Sequence, residues 1–114
     1  MVDFKNKYKF DKRKDESIRI MQKYPERRPI IIEKHHKCEY DIDKNKYLVP
    51  SDLTVGQLLF VIRRRLKLKS EKAIFLFCNS VILPTSQYID IIYDQHKDTD
   101  GFLYLEYTDE NTFG

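Results

Sequence analysis

Lys46-Tyr47-Leu48-Val49-Pro50-Ser51-Asp52-Leu53-Thr54-Val55-Gly56-Gln57-Leu58-Leu59 holds a strand, its stop and the opening of a helix in one run. Lys46 to Val49 suits a strand, and Pro50 ends it because proline donates no ladder hydrogen bond. A strand this short, with a proline in it, belongs at a sheet edge. Thr54 can cap the helix, and Gln57 stands three residues on, at the capping-box spacing. Val55, Leu58, Leu59, Ile62 and Leu66 then recur at i, i+3, i+4, i+7 and i+11, one apolar stripe. Arg63, Arg64 and Arg65 fall largely off that stripe.

Working outward, residues 3–9 are polar, with Phe4 and Tyr8 four apart, a short helix at most. Asp11 to Lys23 avoids Gly and Pro and suits a helix whose apolar residues are Ile18, Ile20, Met21 and, just beyond, Tyr24. Pro25 ends it. Pro29 to Glu33, with Ile30-Ile31-Ile32, reads as a buried strand, and His35 to Asn45 as polar turns. After the central helix come a strand from Ala73 to Phe77, a turn at Asn79-Ser80 and a short strand at Val81-Ile82-Leu83. A short helix carrying Ile89, Ile92 and Tyr93 is expected to start at Ser86. A turn over Asp98–Gly101 then leads into a closing strand from Phe102 to Tyr107.

A hairpin, a crossing helix and a final strand returning to the centre make an α+β fold. The expected architecture is a ubiquitin-like β-grasp with two additional N-terminal helices. Residues 1–24 form the helical extension packed on the core, 25–107 the β-grasp domain, and 108–114 a flexible tail ending in Gly114.

At 114 residues the chain suits one domain with a modest core. Hydrophobic residues make up 41% and charged residues 34%, a globular rather than a disordered balance. No apolar run reaches the length of a membrane span, and no apolar segment of secretory type follows the charged N-terminus. Any membrane association is therefore expected to be acquired through a partner or a lipid. Cys38 and Cys78 are far apart and lack a CxxC partner, which fits a reducing cytosol. Cys78 reads as a buried small hydrophobe, and Cys38, in a polar stretch, as an exposed one. The net charge of +3 conceals a gradient: residues 1–84 carry 20 Lys/Arg against 11 Asp/Glu, residues 85–114 one Lys against seven acids. The basic body suits an acidic partner or an anionic surface, and the acidic end opposes wrapping by nucleic acid.

Several segments resemble the autophagy ubiquitin-like modifiers, most of all their GABARAP branch. They are Lys23-Tyr24-Pro25-Glu26-Arg27, Pro29-Ile30-Ile31 with Glu33-Lys34, Asp43, and the run from Lys46 to Gln57. Leu83-Pro84-Thr85-Ser86, Asp100-Gly101-Phe102-Leu103-Tyr104 and the closing aromatic-glycine pair Phe113-Gly114 continue the likeness. The resemblance implies a modifier activated at its terminal glycine, passed as a thioester to a conjugating enzyme and attached to phosphatidylethanolamine through Gly114. Phe113 and Gly114 would be read by the activating and conjugating enzymes and by a processing and delipidating cysteine protease. A glycine end suits this, since its carbonyl can enter a narrow channel unhindered by a Cβ. If the natural chain ends at Gly114, a maturation cut is expected to be unnecessary, while lipid release would still need the protease; if it extends further, the cut is expected after Gly114.

The resemblance also implies that the edge strand takes an extended receptor peptide with an aromatic residue and, three on, an aliphatic one. Backbone bonds would give affinity and alternate side-chain pockets specificity. The aromatic pocket would comprise Glu16, Ile20, Pro29, Ile31, Lys46, Leu48 and Phe102. The aliphatic pocket would comprise Tyr47, Val49, Pro50, Leu53, Leu58, Val61 and Arg65. Arg27, Lys46 and Arg65 would meet acidic residues flanking the motif. Leu58 stands where relatives often carry an aromatic, and the His35–Asp43 loop departs in sequence and length. The chain is expected to be a monomer in the cytoplasm, and on autophagosome and vesicle membranes once lipidated. No cofactor is expected beyond the covalent phosphatidylethanolamine anchor.

No catalytic constellation accompanies these features, so the chain reads as a substrate of enzymes rather than an enzyme. His35-His36 with Cys38 lacks a fourth ligand at zinc spacing. Cys38 and Cys78 lack an orienting third group for nucleophilic work. The three glycines, Gly56, Gly101 and Gly114, are isolated and form no phosphate cradle. The basic N-terminal segment, Lys5, Lys7, Lys9, Lys12, Arg13 and Lys14, is solvated charge or a contact for an anionic surface. Two alternatives stay open: a non-covalent trafficking adaptor of the same fold, and a lipid-conjugated modifier serving a non-autophagic organelle. A basic nucleic-acid-binding domain is the remaining rival, and it lacks a recognisable readout motif.

Overall fold

The computed structural model describes residues 3–69 and 71–109. Nine elements follow one another: α1 (Asp3–Lys7), α2 (Phe10–Lys23), β1 (Arg27–Lys34), β2 (Lys46–Pro50), α3 (Val55–Leu66), β3 (Phe75–Cys78), β4 (Val81–Ile82), α4 (Ile89–His96) and β5 (Leu103–Thr108). The strands form one mixed sheet in the order β2-β1-β5-β3-β4. β5 lies parallel to β1, and the other pairs are antiparallel. This is the β-grasp arrangement, with β5 returning to the centre and β2 at an edge.

α3 forms where the sequence places it. The Thr54 amide donates to Gln57 Oε1 at 2.9 Å, and the Gln57 amide donates to Thr54 Oγ1 at 3.2 Å, closing the capping box. Val55, Leu58, Leu59 and Ile62 are buried and meet Ile30, Ile32, Leu103, Leu105 and Tyr107 on one face of the sheet. The opposite face carries Ile31 and Phe102, covered by Phe4 of α1 and by Ile20 of α2. β1 is thus buried on both faces, which is why its isoleucines run without alternation.

Several boundaries differ from the sequence expectation, and the larger differences have tertiary reasons. β1 extends to Arg27 and Lys34 because Pro50 and Tyr107 pair with those ends. β3 starts at Phe75, where Thr108 at the end of β5 provides its first partner, and runs to Cys78. β5 itself reaches Thr108, one residue into the expected tail. α4 starts at Ile89 because the preceding segment is taken up by α3: Val55 donates to the Gln87 carbonyl and Gly56 to that of Thr85, both at 2.9 Å. Between β3 and β4, Asn79 and Ser80 adopt φ of 51° and 66°, the left-handed pair of a tight hairpin turn. Cys78 is buried as expected, but so is Cys38, against expectation. Cys38 packs in the main core, and its thiol faces the Tyr40 carbonyl.

The N-terminal extension docks through a polar lock. Asp100 is fully buried, and its Oδ2 accepts from Arg13 Nη1 at 2.7 Å and from the Tyr104 hydroxyl at 2.5 Å. Its Oδ1 accepts from the Phe102 amide at 2.8 Å, and its backbone carbonyl accepts from Ser17 Oγ at 2.5 Å. Gly101 follows with φ of 92°, and a Cβ there would stand 2.2 Å from Ser17 Oγ, so only glycine fits. α1 is held by two further contacts: the Phe4 amide donates to Glu33 Oε2 at 2.9 Å, and Lys5 Nζ meets Asp98 Oδ1 at 2.6 Å. Burial raises the Glu33 carboxyl above its ordinary value. Burial would raise Asp98 too, but hydrogen bonds from Lys5 and from the Asp100 amide hold it below its ordinary value.

Arg13→Ala leaves the Asp100 charge buried without its cation. It is expected to cost about 3 kcal/mol in urea unfolding, against about 1 kcal/mol for Thr54→Ala, which removes the α3 cap alone.

Candidate functional site: the open edge of β2

Among the described residues, β2 pairs with β1 along one side only, in the register Arg27↔Pro50, Pro29↔Leu48 and Ile31↔Lys46. Its other side is an edge, free for an added strand. The pleat sorts its residues: Tyr47 and Val49 are buried toward α3, while Lys46, Leu48 and Pro50 lie on the opposite face and retain exposure.

On the α2 side, Lys46 and Glu16 form an ion pair that bridges β2 and α2. Leu48 and Ile20 are half-buried, and Pro29 is buried. Ile31 and Phe102 are fully buried, with the Phe4 ring 5.1 Å from that of Phe102. The seven residues expected of the aromatic pocket therefore separate into a surface layer and a floor, and α1 closes over the floor. The Lys46 ammonium also stands 5.9 Å from the Phe4 ring centroid. A hollow of about 360 Å³ opens beside it, lined by Asp3, Phe4, Lys7, Tyr8, Asn45 and Lys46. Sequence reasoning left Phe4 and Tyr8 without a role, although their spacing of four puts them on one helix face. Their rings stand 5.1 Å apart.

On the α3 side, Tyr47, Val49 and Leu58 are 6%, 4% and 1% exposed and belong to the main core. They lie beneath the surface as a floor, as Ile31 and Phe102 do on the α2 side, and the sequence alone did not separate them from the exposed members of the set. The Tyr47 hydroxyl donates to the Lys44 carbonyl at 2.8 Å, and burial raises its pKa to about 12, against the pull of Arg65. Surface on this side is offered by Leu53, Val61 and Arg65, while Pro50 is exposed at the end of β2 on its other face. Phe60, which the helical stripe passed over, is 61% exposed. With Val61, Arg64, Arg65, Lys67 and Asp43 it lines a hollow of about 480 Å³. Arg65 Nε stands 3.4 Å from Asp43 Oδ1. Arg27 is exposed and donates to the Leu48 carbonyl at 3.4 Å. Three cations thus stand at the strand: Arg27 at one end, Lys46 on the α2 face and Arg65 on the α3 face.

The other sequence candidates have local explanations. His35 Nδ1 accepts from the Lys37 amide at 3.1 Å, and the His35 and His36 rings lie 4.2 Å apart. Among the described residues, no group of three or more His, Cys, Asp or Glu could hold a metal ion. Among them, too, no helix is long and apolar enough to cross a membrane. Phe113 and Gly114, expected at the conjugation end, lie outside the described residues.

Residues 12–114 match the family model described as autophagy protein Atg8, ubiquitin-like. Autophagy-related protein 8 of Mycosarcoma maydis is 57% identical over 112 residues, covering 97% of this chain and 95% of that protein. Its counterpart in Schizosaccharomyces pombe is 56% identical, with 97% and 93% covered. Among solved structures, Trypanosoma brucei ATG8 superposes with a TM-score of 0.93 at 41% identity, covering 100% of this chain and 99% of that one. Plasmodium falciparum Atg8, solved in complex with a Plasmodium falciparum Atg3 peptide, superposes with a TM-score of 0.89 at 32% identity, covering 99% and 100%.

Leu58→Ala removes core volume and is expected to cost between about 2 and 5 kcal/mol of stability. Val61→Asp, at an exposed position, is expected to change stability by less than about 0.5 kcal/mol. It should nonetheless weaken an aromatic-x-x-aliphatic peptide about tenfold or more in calorimetric titration.

Proposed function

The chain belongs to the Atg8 family of autophagy ubiquitin-like proteins, and from that premise we propose that it works as a membrane-attached recruiter. Its C-terminal Gly114 is joined to phosphatidylethanolamine, and its β2 edge collects receptors during autophagosome formation. The observation that carries the recruiting half is an unpaired strand flanked by two surfaces of different character. One presents Leu48 and Ile20 beneath a Lys46–Glu16 bridge, the other Leu53 and Val61 beside Arg65. An extended peptide sends alternate side chains to opposite faces, so an aromatic residue and an aliphatic one three positions on reach different faces. Arg27, Lys46 and Arg65 favour acidic residues around that motif.

The anchoring half rests on family membership through residue 114 and on the chemistry of glycine. Phosphatidylethanolamine carries two acyl chains, and two chains hold a protein on a bilayer where one gives only marginal binding. In this reading the chain is a substrate of activating, conjugating and delipidating enzymes and has no turnover of its own. A peptide segment of the conjugating enzyme is a candidate ligand of the same edge strand; the similar Plasmodium protein was solved with an Atg3 peptide. Between rounds of conjugation it is cytoplasmic.

Intact-mass measurement of the endogenous protein from membranes, with and without the delipidating protease, tests the anchoring. The expected result is one phosphatidylethanolamine on Gly114, removed by the protease and absent in Gly114→Ala, which stays soluble. Unmodified protein on the membrane would overturn it in favour of a non-covalent adaptor.

A further inference from the structure

α2 carries more apolar surface than its docking uses. Ile20 meets the sheet, while Ile18 is 43% exposed and Met21 only half-buried. These two residues form one wall of a groove of about 560 Å³ between α2 and α4, whose opposite side is Tyr93 and Lys97. Along α2, Lys14, Ile18 and Met21 recur at spacings of four and three, so they stand in one row along the groove.

The floor is rigid. It is built on Gly101, whose conformation excludes any side chain, and it is tied from both sides. Ser17 Oγ holds the Asp100 carbonyl, and the Tyr93 hydroxyl donates to the Gly101 carbonyl at 2.6 Å. A groove fixed in this way binds without an ordering cost of its own.

The rim carries two lysines and one acid, and the acid is already paired. Lys14 and Lys97 are both exposed. Lys14 donates to the Thr99 carbonyl at 2.9 Å and keeps further donors for a ligand. The acid on the rim, Asp98, is already engaged by Lys5 and by the Asp100 amide. No β2 residue lines the groove. It sits where β5 begins, and the chain leaves the sheet from the other end of that strand, about 20 Å away.

We propose that this groove is a second docking site, independent of the β2 edge, for an acidic amphipathic helical segment of a protein partner. Aliphatic side chains at helical spacing seat against Ile18, Met21 and Tyr93, and carboxylates on the segment's flank meet Lys14 and Lys97. A partner carrying both this segment and an edge-strand motif gains avidity by engaging both at once.

The test is peptide-display selection on the full chain, with the β2 edge saturated by an aromatic-x-x-aliphatic peptide and a random helical-peptide library as the probe. Selected peptides are expected to pair an i, i+3/i+4 aliphatic row with Asp or Glu. Their affinity should fall about tenfold or more in Ile18→Glu and in Lys97→Glu. Lys14→Glu is expected to act in the same direction, and all three variants should bind the aromatic-x-x-aliphatic peptide as the parent does. Failure of that peptide to bind the parent would count against the function proposed above, and the selection itself is read independently. The site is overturned if no selected peptide depends on Ile18 and Lys97, or if dependent peptides lack acids. A concentration-dependent dimer abolished by Ile18→Glu would overturn it by assigning the groove to a second copy. Flotation with phosphatidylserine-containing vesicles, abolished by the same variant, would overturn it by assigning the groove to a membrane surface.

Discussion

The buried carboxylate of Asp100 is the constraint on which the rest of this molecule depends. A charge fully out of water costs several kcal/mol unless it is met by a cation and by enough donors. Here Arg13, the Tyr104 hydroxyl and the Phe102 amide supply them together. Only one position of α2 satisfies that geometry. It sets Glu16 beside Lys46 and Ile20 over the sheet, and it places Ser17 against Gly101. The N-terminal extension is therefore part of the β-grasp core in energetic terms, although the core's own apolar pattern does not require it.

Fixing α2 closes the second face of the sheet and leaves β2 as a controlled edge. An exposed edge invites unwanted pairing, and native proteins limit it by shortening the strand, adding proline and surrounding it with charge. β2 has all three in Lys46, Pro50 and the neighbouring Arg27 and Arg65. Under the function proposed above, the same features that discourage indiscriminate strand addition favour an acidic, two-anchor peptide. Protection and specificity thus come from one set of residues.

Much of this was legible in the linear order of residues. The capping box at Thr54 and Gln57, the stripe from Val55 to Ile62 and the proline-stopped strand gave α3 and the edge. Together with the isoleucine run they implied the β-grasp arrangement. The resemblance then named the residues expected to form the two pockets. It could not say that Tyr47, Val49 and Leu58 lie beneath the surface, because the face a strand residue takes depends on which helix covers it. Phe60 was passed over since its exposure breaks the helical stripe, and Cys38 was misplaced because a polar stretch of sequence can still fold one thiol inward.

The chain by itself determined the elements whose signals are local: caps, periodicity, the Asn79-Ser80 turn and the proline stops act over a few residues. Only the tertiary structure decided what depends on distant partners. Arg13 and Asp100 are 87 positions apart and each reads alone as an ordinary surface charge, yet burial together makes them the lock for α2. The start of α4, the start of β3, the closure of the aromatic pocket by Phe4 and the groove between α2 and α4 likewise arise from contacts between remote segments. Burial and pairing are properties of the folded arrangement, and no short window of sequence carries them.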